Sequence, residues 1–483
     1  MKNIVSMKFF IFLINFILIV IWFTREDYIV VEEKLTELIF DPVQTSMSLK
    51  KYIDESIDPC DDFYQFSCGK WIQNEKQKEK NSSLSQNVKY NFYDDIYNGK
   101  YINKSKTMKK LYILLKKCDQ VSGKEQYLCK EIVLLIGRYG ITSFIINEIM
   151  DKEILKYNYI TIENMYEKIK KEFIILVEKE DNIFDTESKK NVIESIKKLK
   201  LDKTFRKFVS NVTLMEKCYD YIQFSVEDDI EKILKNITNF FTNKTFDDIT
   251  YEKECKFIMS ISSADHLKLY LGKTAYYTDP LRKIFISPRY IEKPLFSLYY
   301  PMSLNYGGLG FTMAHEILHG FDRLGVSDKP EYLQYSNILT NKSKIRYDKA
   351  NKCLEKQYNS TQEEVTGKYI NGLLTLRENI ADNNGIKISH QTFMKYLKDI
   401  GGEEPKIPGF EKYTPEQLFF INFARSFCSY TSDKNKIEKR LKDDHAPNKN
   451  RIIVTLGNYK PFSNAFNCKL GTKMNPIHKC LLG

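Results

Sequence analysis

The residues best suited to chemistry lie in one stretch, Gly310 to Asp322, which contains the pattern His315-Glu316-x-x-His319. On a helix His315 and His319 are four apart and share a face, so two neutral imidazoles can converge on one metal ion with the Glu316 carboxylate beside them. A zinc ion held in this way activates water, and a neighbouring carboxylate can take that water's proton. The competing reading is a buried helix whose histidines are merely hydrogen-bonded. With only 6 His in the chain, the five-residue pattern is a rare coincidence on that reading. Hydrolytic zinc sites keep three protein ligands and one open position, so a third ligand is required. The best candidate is Glu378, in the segment Leu373 to Gly385, which reads as a second helix with Asp382 one turn further along the same face. Asp382 can accept the free N–H of a ligand imidazole and so fix its tautomer.

The elements that must position these groups can be read from periodicity and punctuation. Lys283 to Ser287 suits a short edge strand closed by Pro288. Phe419 to Cys428 is an apolar helix forming core and pocket wall, and Asp443 to Arg451 is a polar loop entering an apolar strand or helix from Ile452 to Leu456. That loop carries His445, which in isolation would read as a solvated side chain. From Ile72 to Met259 the pattern is helical, as in Leu111, Leu114, Leu115 and Cys118. Before it, Cys60 to Trp71 packs two cysteines with several aromatics, an anchor point after a polar stem.

At 483 residues and 42% hydrophobic content the chain can bury a large core in two to three domains. Its net charge of +11 comes from stretches such as Lys70 to Lys80 and Lys189 to Lys203, where acids and amides are interspersed. These are solvated helix faces, not a nucleic-acid footprint. Lys2 and Lys8 precede an apolar run from Phe9 to Phe23, and Arg25, Glu26 and Asp27 follow it. This favours an uncleaved signal anchor with a cytosolic N-terminus; a cleaved signal peptide and a buried core helix are the alternatives. The 10 cysteines, without C-x-x-C pairs, imply disulfides in an oxidising compartment. Glycosylation sequons, among them Asn81, Asn211 and Asn359, agree with a luminal or extracellular body.

Four blocks in this order, CDDFYQFSCGKW, AHEILHGFD, ENIADNNG, and HAPNKNR followed by FNCKLGTKMNPIHKC, resemble the neprilysin/endothelin-converting enzyme family of zinc metallopeptidases. The resemblance is strong over residues 59–71 and 268–483 and weak between them. It implies a mainly α fold with a small β-sheet: a thermolysin-like zincin catalytic domain and a reduced all-helical lid. The division would be 1–23 signal anchor or signal peptide, 24–58 stem, 59–71 and 260–483 catalytic, and 72–259 lid-like. It implies one zinc on His315, His319 and Glu378, with Glu316 as general base, Asp382 orienting His315, and His445 stabilising the transition state with Asp443 behind it. Arg451 would bind a substrate backbone carbonyl, Ala275 would pair with the peptide from an edge strand beside Thr274, and Phe311, Thr312 and Phe427 would form an apolar pocket after the cleaved bond. The partners implied are peptide substrates and, if the leader is uncleaved, a membrane. The location is then the cell surface, as a type II single-pass protein, or outside the cell if the leader is removed. The resemblance also implies disulfides Cys60–Cys468, Cys68–Cys428, Cys353–Cys480 and Cys118–Cys218, leaving Cys129 to Cys255.

The sequence departs from the family at Thr274, where an Asn is usual, at Arg377, where a Gly precedes the ligand Glu, and at Ser426-Phe427, where an aliphatic residue and a Trp are usual. Much of the family's lid is absent from the stretch between the strong blocks. Two functions follow as alternatives: an endopeptidase cutting on the amino side of hydrophobic residues, or a weakened ectodomain that binds peptides or a partner protein without cleaving. Thr274 and Arg377 favour the second. Intact Glu316 favours the first, because a binding protein has no need of a general base.

Overall fold

The computed structural model describes residues 40–81, 92–149, 152–202, 208–225, 227–242, 255, 259, 272–278, 281–321 and 338–480. Asp41 and Pro42 open the first helix of this set, α1 (Pro42–Lys50): the Asp41 side chain accepts the Gln44 N–H, and proline at the first helical position lacks only an N–H that would have had no partner. Then follow α2 (Phe63–Asn81), α3 (Phe92–Tyr97), α4 (Lys106–Lys117), α5 (Gly123–Ile149), α6 (Lys152–Lys179) and α7 (Thr186–Lys197). A short β1 (Lys200–Leu201) leads to α8 (Val212–Asp220) and α9 (Ile230–Thr242). The second half comprises β2 (Ala275–Thr278), β3 (Lys283–Ile286), α10 (Met302–Asn305), a π-turn (Tyr306–Gly310), α11 (Phe311–Leu318), α12 (Asn341–Asn359), α13 (Leu376–Asp399), α14 (Pro415–Arg425), α15 (Lys434–Arg440), α16 (Asn448–Asn458) and α17 (Lys460–Ala465). Among the described residues the chain is thus mainly helical with one small sheet.

The sheet runs β1-β3-β2, with β1 parallel and β2 antiparallel to β3, Ala275 opposite Ile286 and Tyr277 opposite Ile284. The segment read as an edge strand, Lys283–Ile286, is therefore the central strand. Ile284, Phe285 and Ile286 are all buried, and the parallel partner comes from the helical middle of the chain, where a two-residue strand leaves no periodic signal. Pro288 opens a 3-10 turn (Pro288–Tyr290) just beyond it. The edge belongs to β2, which has β3 as its partner among the described residues.

Among the described residues three buried clusters form, two of them large. One joins α4, α5, α8 and α9 through residues such as Leu111, Leu114, Met215, Cys218 and Ile233. The other joins Ile162, Met165, Ile169 and Phe173 of α6 to Leu309, Met313 and Ile317 of the histidine-bearing helix and to Phe419, Phe420 and Phe423 of α14. Helix α6, within the expected lid, is thus part of the core behind the histidines, and Phe173 meets Phe321 edge-on at 5.3 Å. Its period shows that it is a helix but cannot show which partner it packs on. The expected stem is also folded from residue 40: Leu49 and Ile53 are buried, Ser46 Oγ donates to Pro408 O, and buried Arg425 donates to Ser48 Oγ at 2.8 Å.

All ten cysteines are paired. Cys60–Cys468, Cys68–Cys428 and Cys353–Cys480 form as the resemblance implied. Cys118 instead joins Cys129, and Cys218 joins Cys255. The reason is local: the α4–α5 hairpin brings Cys129, in the second turn of α5, to a Cα distance of 5.7 Å from Cys118. The apolar leader lies outside the described residues, among which no helix is long and apolar enough to cross a membrane.

Candidate active site

Helix α10, the π-turn and α11 form one continuous rod whose C-terminal end carries His315 and Glu316, with His319 as its C-cap. At its N-terminus the buried Glu404 carboxylate accepts the Ser303 N–H at 2.9 Å. Glycines make the π-turn possible in this packing. A Cβ on Gly307 would lie 2.1 Å from Phe419 O, and one on Gly308 2.2 Å from Leu295 O, so the neighbouring backbones approach as closely as hydrogen allows. A π-turn inserts an extra residue into the helical repeat and so sets the rotation of everything beyond it. Helix α13 crosses α11 where Gly385 faces the His315 backbone, a Cβ there lying 3.2 Å from His315 N. That close crossing brings Glu378 and Asp382 alongside the two imidazoles.

The distances fit a small cation. His315 Nε2 and His319 Nε2 are 3.1 Å apart, Glu378 Oε2 is 3.1 Å from the first and Oε1 is 3.5 Å from the second. These approximate the ~3.3 Å edges of a tetrahedron whose bonds to zinc are ~2.0–2.1 Å. Glu378 Oε2 is buried between His315 Nε2 and His445 Nε2, each 3.1 Å away, so nitrogens of two imidazoles surround one carboxylate oxygen. Electrostatics agree. Burial lowers the His315 pKa, but Asp382 and Glu378 outweigh it and hold His315 up at about 10, while burial of Glu378 is outweighed by His315 and His445, which hold its carboxyl far below the usual range. Carboxylates that favour an imidazolium here favour a metal cation equally.

Around this centre Asp382 Oδ1 is 2.9 Å from His315 Nδ1, and Arg451 grips the same carboxylate through Nε at 2.7 Å and a terminal nitrogen at 2.6 Å. Two Arg451 donors are therefore committed to Asp382, and its guanidinium lies 4.8 Å over the Phe427 ring. Glu316 is buried, and that burial raises its pKa against the opposing pull of His315 and His319. His445 is half-exposed, with Nδ1 2.9 Å from Asp443 and 2.8 Å from Asp444. Burial of its ring is outweighed by Glu378, and His445 is raised to about 9.

A cavity of about 270 Å³ gathers His315, Glu316, His445 and Arg451 with Thr274 and Ala275 at the end of β2. Phe311, Thr312 and Phe427 form further walls. His319 and Glu378 adjoin this cavity through His315, with Asp443 standing behind His445 and Asp382 behind His315. Sequence reasoning missed Tyr290, which lines the same cavity, and Asp444 as a second carboxylate on His445. Asp444 was visible as the residue adjoining His445. Tyr290 stands in a three-residue turn, where no periodicity marks an inward-facing side chain.

Residues 274–482 match the model of peptidase family M13. Over 308 residues the chain is 30% identical to neprilysin-1 of Caenorhabditis elegans, covering 62% of this chain and 38% of that one. Over 211 residues it is 35% identical to endothelin-converting enzyme 1 of Rattus norvegicus, covering 43% of this chain and 26% of that one. The chain therefore spans less than two fifths of the length of these relatives. In fold it resembles the open-state zinc metalloprotease of Mycobacterium tuberculosis, with a TM-score of 0.52 at 16% identity over 74% of this chain and 52% of that one. It also resembles the Haemonchus galactose containing glycoprotein complex, with a TM-score of 0.53 at 22% identity over 74% of this chain and 54% of that one. The histidine-bearing helix, the Glu378 helix and the His445 loop all lie within the matched residues 274–482, so this part of the chain is a peptidase family M13 region, similar to the neprilysins and endothelin-converting enzymes.

Proposed function

We propose that the protein is a zinc-dependent endopeptidase acting on extracellular peptides, with His315, His319 and Glu378 as metal ligands. The observation that carries this reading is the convergence of His315 Nε2 and His319 Nε2, 3.1 Å apart, on the buried Glu378 carboxylate, whose oxygens lie 3.1 and 3.5 Å from them. Zinc, where bound, supplies Lewis acidity that polarises the scissile carbonyl and makes the attacking water more acidic. Glu316 takes the proton of that water and delivers it to the leaving amine; its burial, which raises its pKa, suits a group that must accept a proton and release it again. His445, braced by Asp443 and Asp444, donates to the oxygen on which negative charge develops. Asp382 holds His315 in the tautomer that presents Nε2, and Arg451 fixes Asp382. The edge of β2 at Ala275, which has no strand beyond it among the described residues, receives the peptide backbone, with Thr274 beside it, and the Phe311, Thr312 and Phe427 walls receive a mainly hydrophobic side chain after the cleaved bond.

Five disulfides suit an oxidising compartment, and with the apolar leader they support a cell-surface type II or secreted location. The test is incubation of the zinc-loaded protein with a mixed peptide pool, read by mass spectrometry with and without a chelator. Cleavage that the chelator stops is expected, and Glu316→Gln should lower kcat by about 10²–10⁴-fold with zinc content unchanged. Peptides that bind without being cut would favour a non-catalytic ectodomain instead.

A further inference from the structure

The cavity beside Glu316 is less apolar than its phenylalanine walls imply. Thr312 lies one helical turn before Glu316 on the same face of α11, and Phe311 one turn before His315, with ring centroids 5.9 Å apart. Opposite Thr312 stands Tyr290, its hydroxyl 3.4 Å from Thr312 Oγ1. Tyr290 is fixed from behind: its N–H is directed at both Ser287 O, at 3.0 Å, and Ser287 Oγ, at 3.2 Å. Ser287 Oγ in turn donates to Gly272 O and accepts from Thr274 N, which ties the tyrosine turn to the start of β2. The turn that carries the phenol is therefore fixed before any ligand arrives.

A hydroxyl–hydroxyl bond normally measures about 2.5–3.0 Å, so the 3.4 Å pair is stretched. Two hydroxyls offer two donors and four lone pairs between them, and one long contact uses little of that capacity. Thr312 is buried, so bulk water does not supply the remainder freely. A polar atom placed between the two hydroxyls would replace one long contact with two of ordinary length, whereas a methyl or ring edge there would leave both poorly paired. The rest of the pocket selects the body of the side chain: Phe311 and Phe427 meet edge-on at 5.7 Å, and the Arg451 charge is neutralised by Asp382. Glu316 shares the cavity and disfavours a second carboxylate.

We propose that Tyr290 and Thr312 form the selective end of this pocket, so that cleavage favours, immediately after the scissile bond, an apolar side chain with a neutral hydrogen-bonding tip over its apolar isostere. Tyrosine is preferred to phenylalanine, and glutamine to both methionine and glutamate. The inference rests on the peptidase reading and refines its substrate class.

The test uses the zinc-loaded full chain and peptides that differ only at the residue after the cleaved bond, as the pairs Tyr/Phe, Gln/Met and Gln/Glu. For the wild type, kcat/KM is expected to favour the first member of each pair by about tenfold. In Tyr290→Phe and in Thr312→Val the Tyr/Phe and Gln/Met ratios should fall towards unity. Because a ratio is compared within one protein, a general loss of activity or stability does not move it. Wild-type ratios at or below unity, or ratios unchanged in both variants, overturn the proposal alone. Failure of the wild type to cut any of the peptides overturns it together with the peptidase reading.

Discussion

Asp382 is fully buried, and its carboxylate is shared between His315 Nδ1 and two nitrogens of Arg451. Burial alone would raise its pKa, but Arg451 and His315 outweigh burial and keep it ionised. Removing Arg451 therefore leaves a buried charge with one partner instead of two. Arg451→Met, which keeps an apolar stem against Phe427, is expected to cost about 3 kcal/mol of stability. It should also weaken zinc binding by about 10–100-fold, because Asp382, then held by His315 alone, can shift and no longer fixes the orientation of that imidazole. Chemical denaturation and a competitive metal titration measure the two effects; a variant with unchanged zinc affinity would show that Arg451 acts on substrate alone. How much of this was legible differs from residue to residue. The four-residue spacing of His315 and His319 fixes a shared face without any tertiary knowledge, and the spacing of Glu378 and Asp382 does the same one helix later. The Arg451–Asp382 pair was not readable, since it depends on how α16 packs on α13, and neither helix's sequence states that. Tyr290 was hidden for the same reason.

Among the elements, the rod formed by α10, the π-turn and α11 has titratable groups buried at each end, His315 and Glu316 at one and Glu404 at the other. Burial raises the Glu404 carboxyl to about 7, against the N–H groups of Met302 and Ser303 that pull it down. The sign follows from the reference value of 4.5. The folded state holds a proton that the unfolded chain releases between pH of about 4.5 and 7, so the associated stability is complete below the lower value and is lost as pH rises through the upper one. Glu404→Gln keeps an acceptor for Ser303 N–H and cannot ionise. It is expected to be more stable than wild type above about pH 7, by up to about 3 kcal/mol, with the advantage vanishing below about pH 5. Urea denaturation of both proteins at several pH values checks this, and parallel pH profiles for the two would exclude it. At this scale the sequence reveals the type of each long element but not its neighbours. Lys283–Ile286 reads as a strand, yet its central place in the sheet depends on Lys200–Leu201, two residues too few to show any alternation.

In the whole molecule, two disulfides tie the beginning of the described chain to its end, Cys60 to Cys468 and Cys68 to Cys428, the second directly beside Phe427 of the pocket wall. Cys118–Cys129 closes a hairpin inside the other core. The joint replacement Cys68→Ser/Cys428→Ser should lower stability by about 2–4 kcal/mol and reduce kcat/KM as well, since Phe427 loses its anchor. Cys118→Ser/Cys129→Ser should lower stability and leave kcat/KM unchanged. Thermal unfolding and rate measurements on the two variants make the comparison, and equal losses of activity would mean that the two cores do not act separately. The same division bears on substrate length. Core apolar residues of α6 share one buried cluster with the histidine-bearing helix, so this part of the middle segment packs into the support of the site. On the cavity side the His445 side chain is 46% exposed while that of His315 is 7% exposed, so the wall that would face the scissile carbonyl is open to solvent along one flank. For one cleavage sequence embedded in peptides of about five to about thirty residues, kcat/KM should rise as β2 is filled and then stay within about threefold. A steep fall at the longer lengths would mean that the helical middle closes over the site after all.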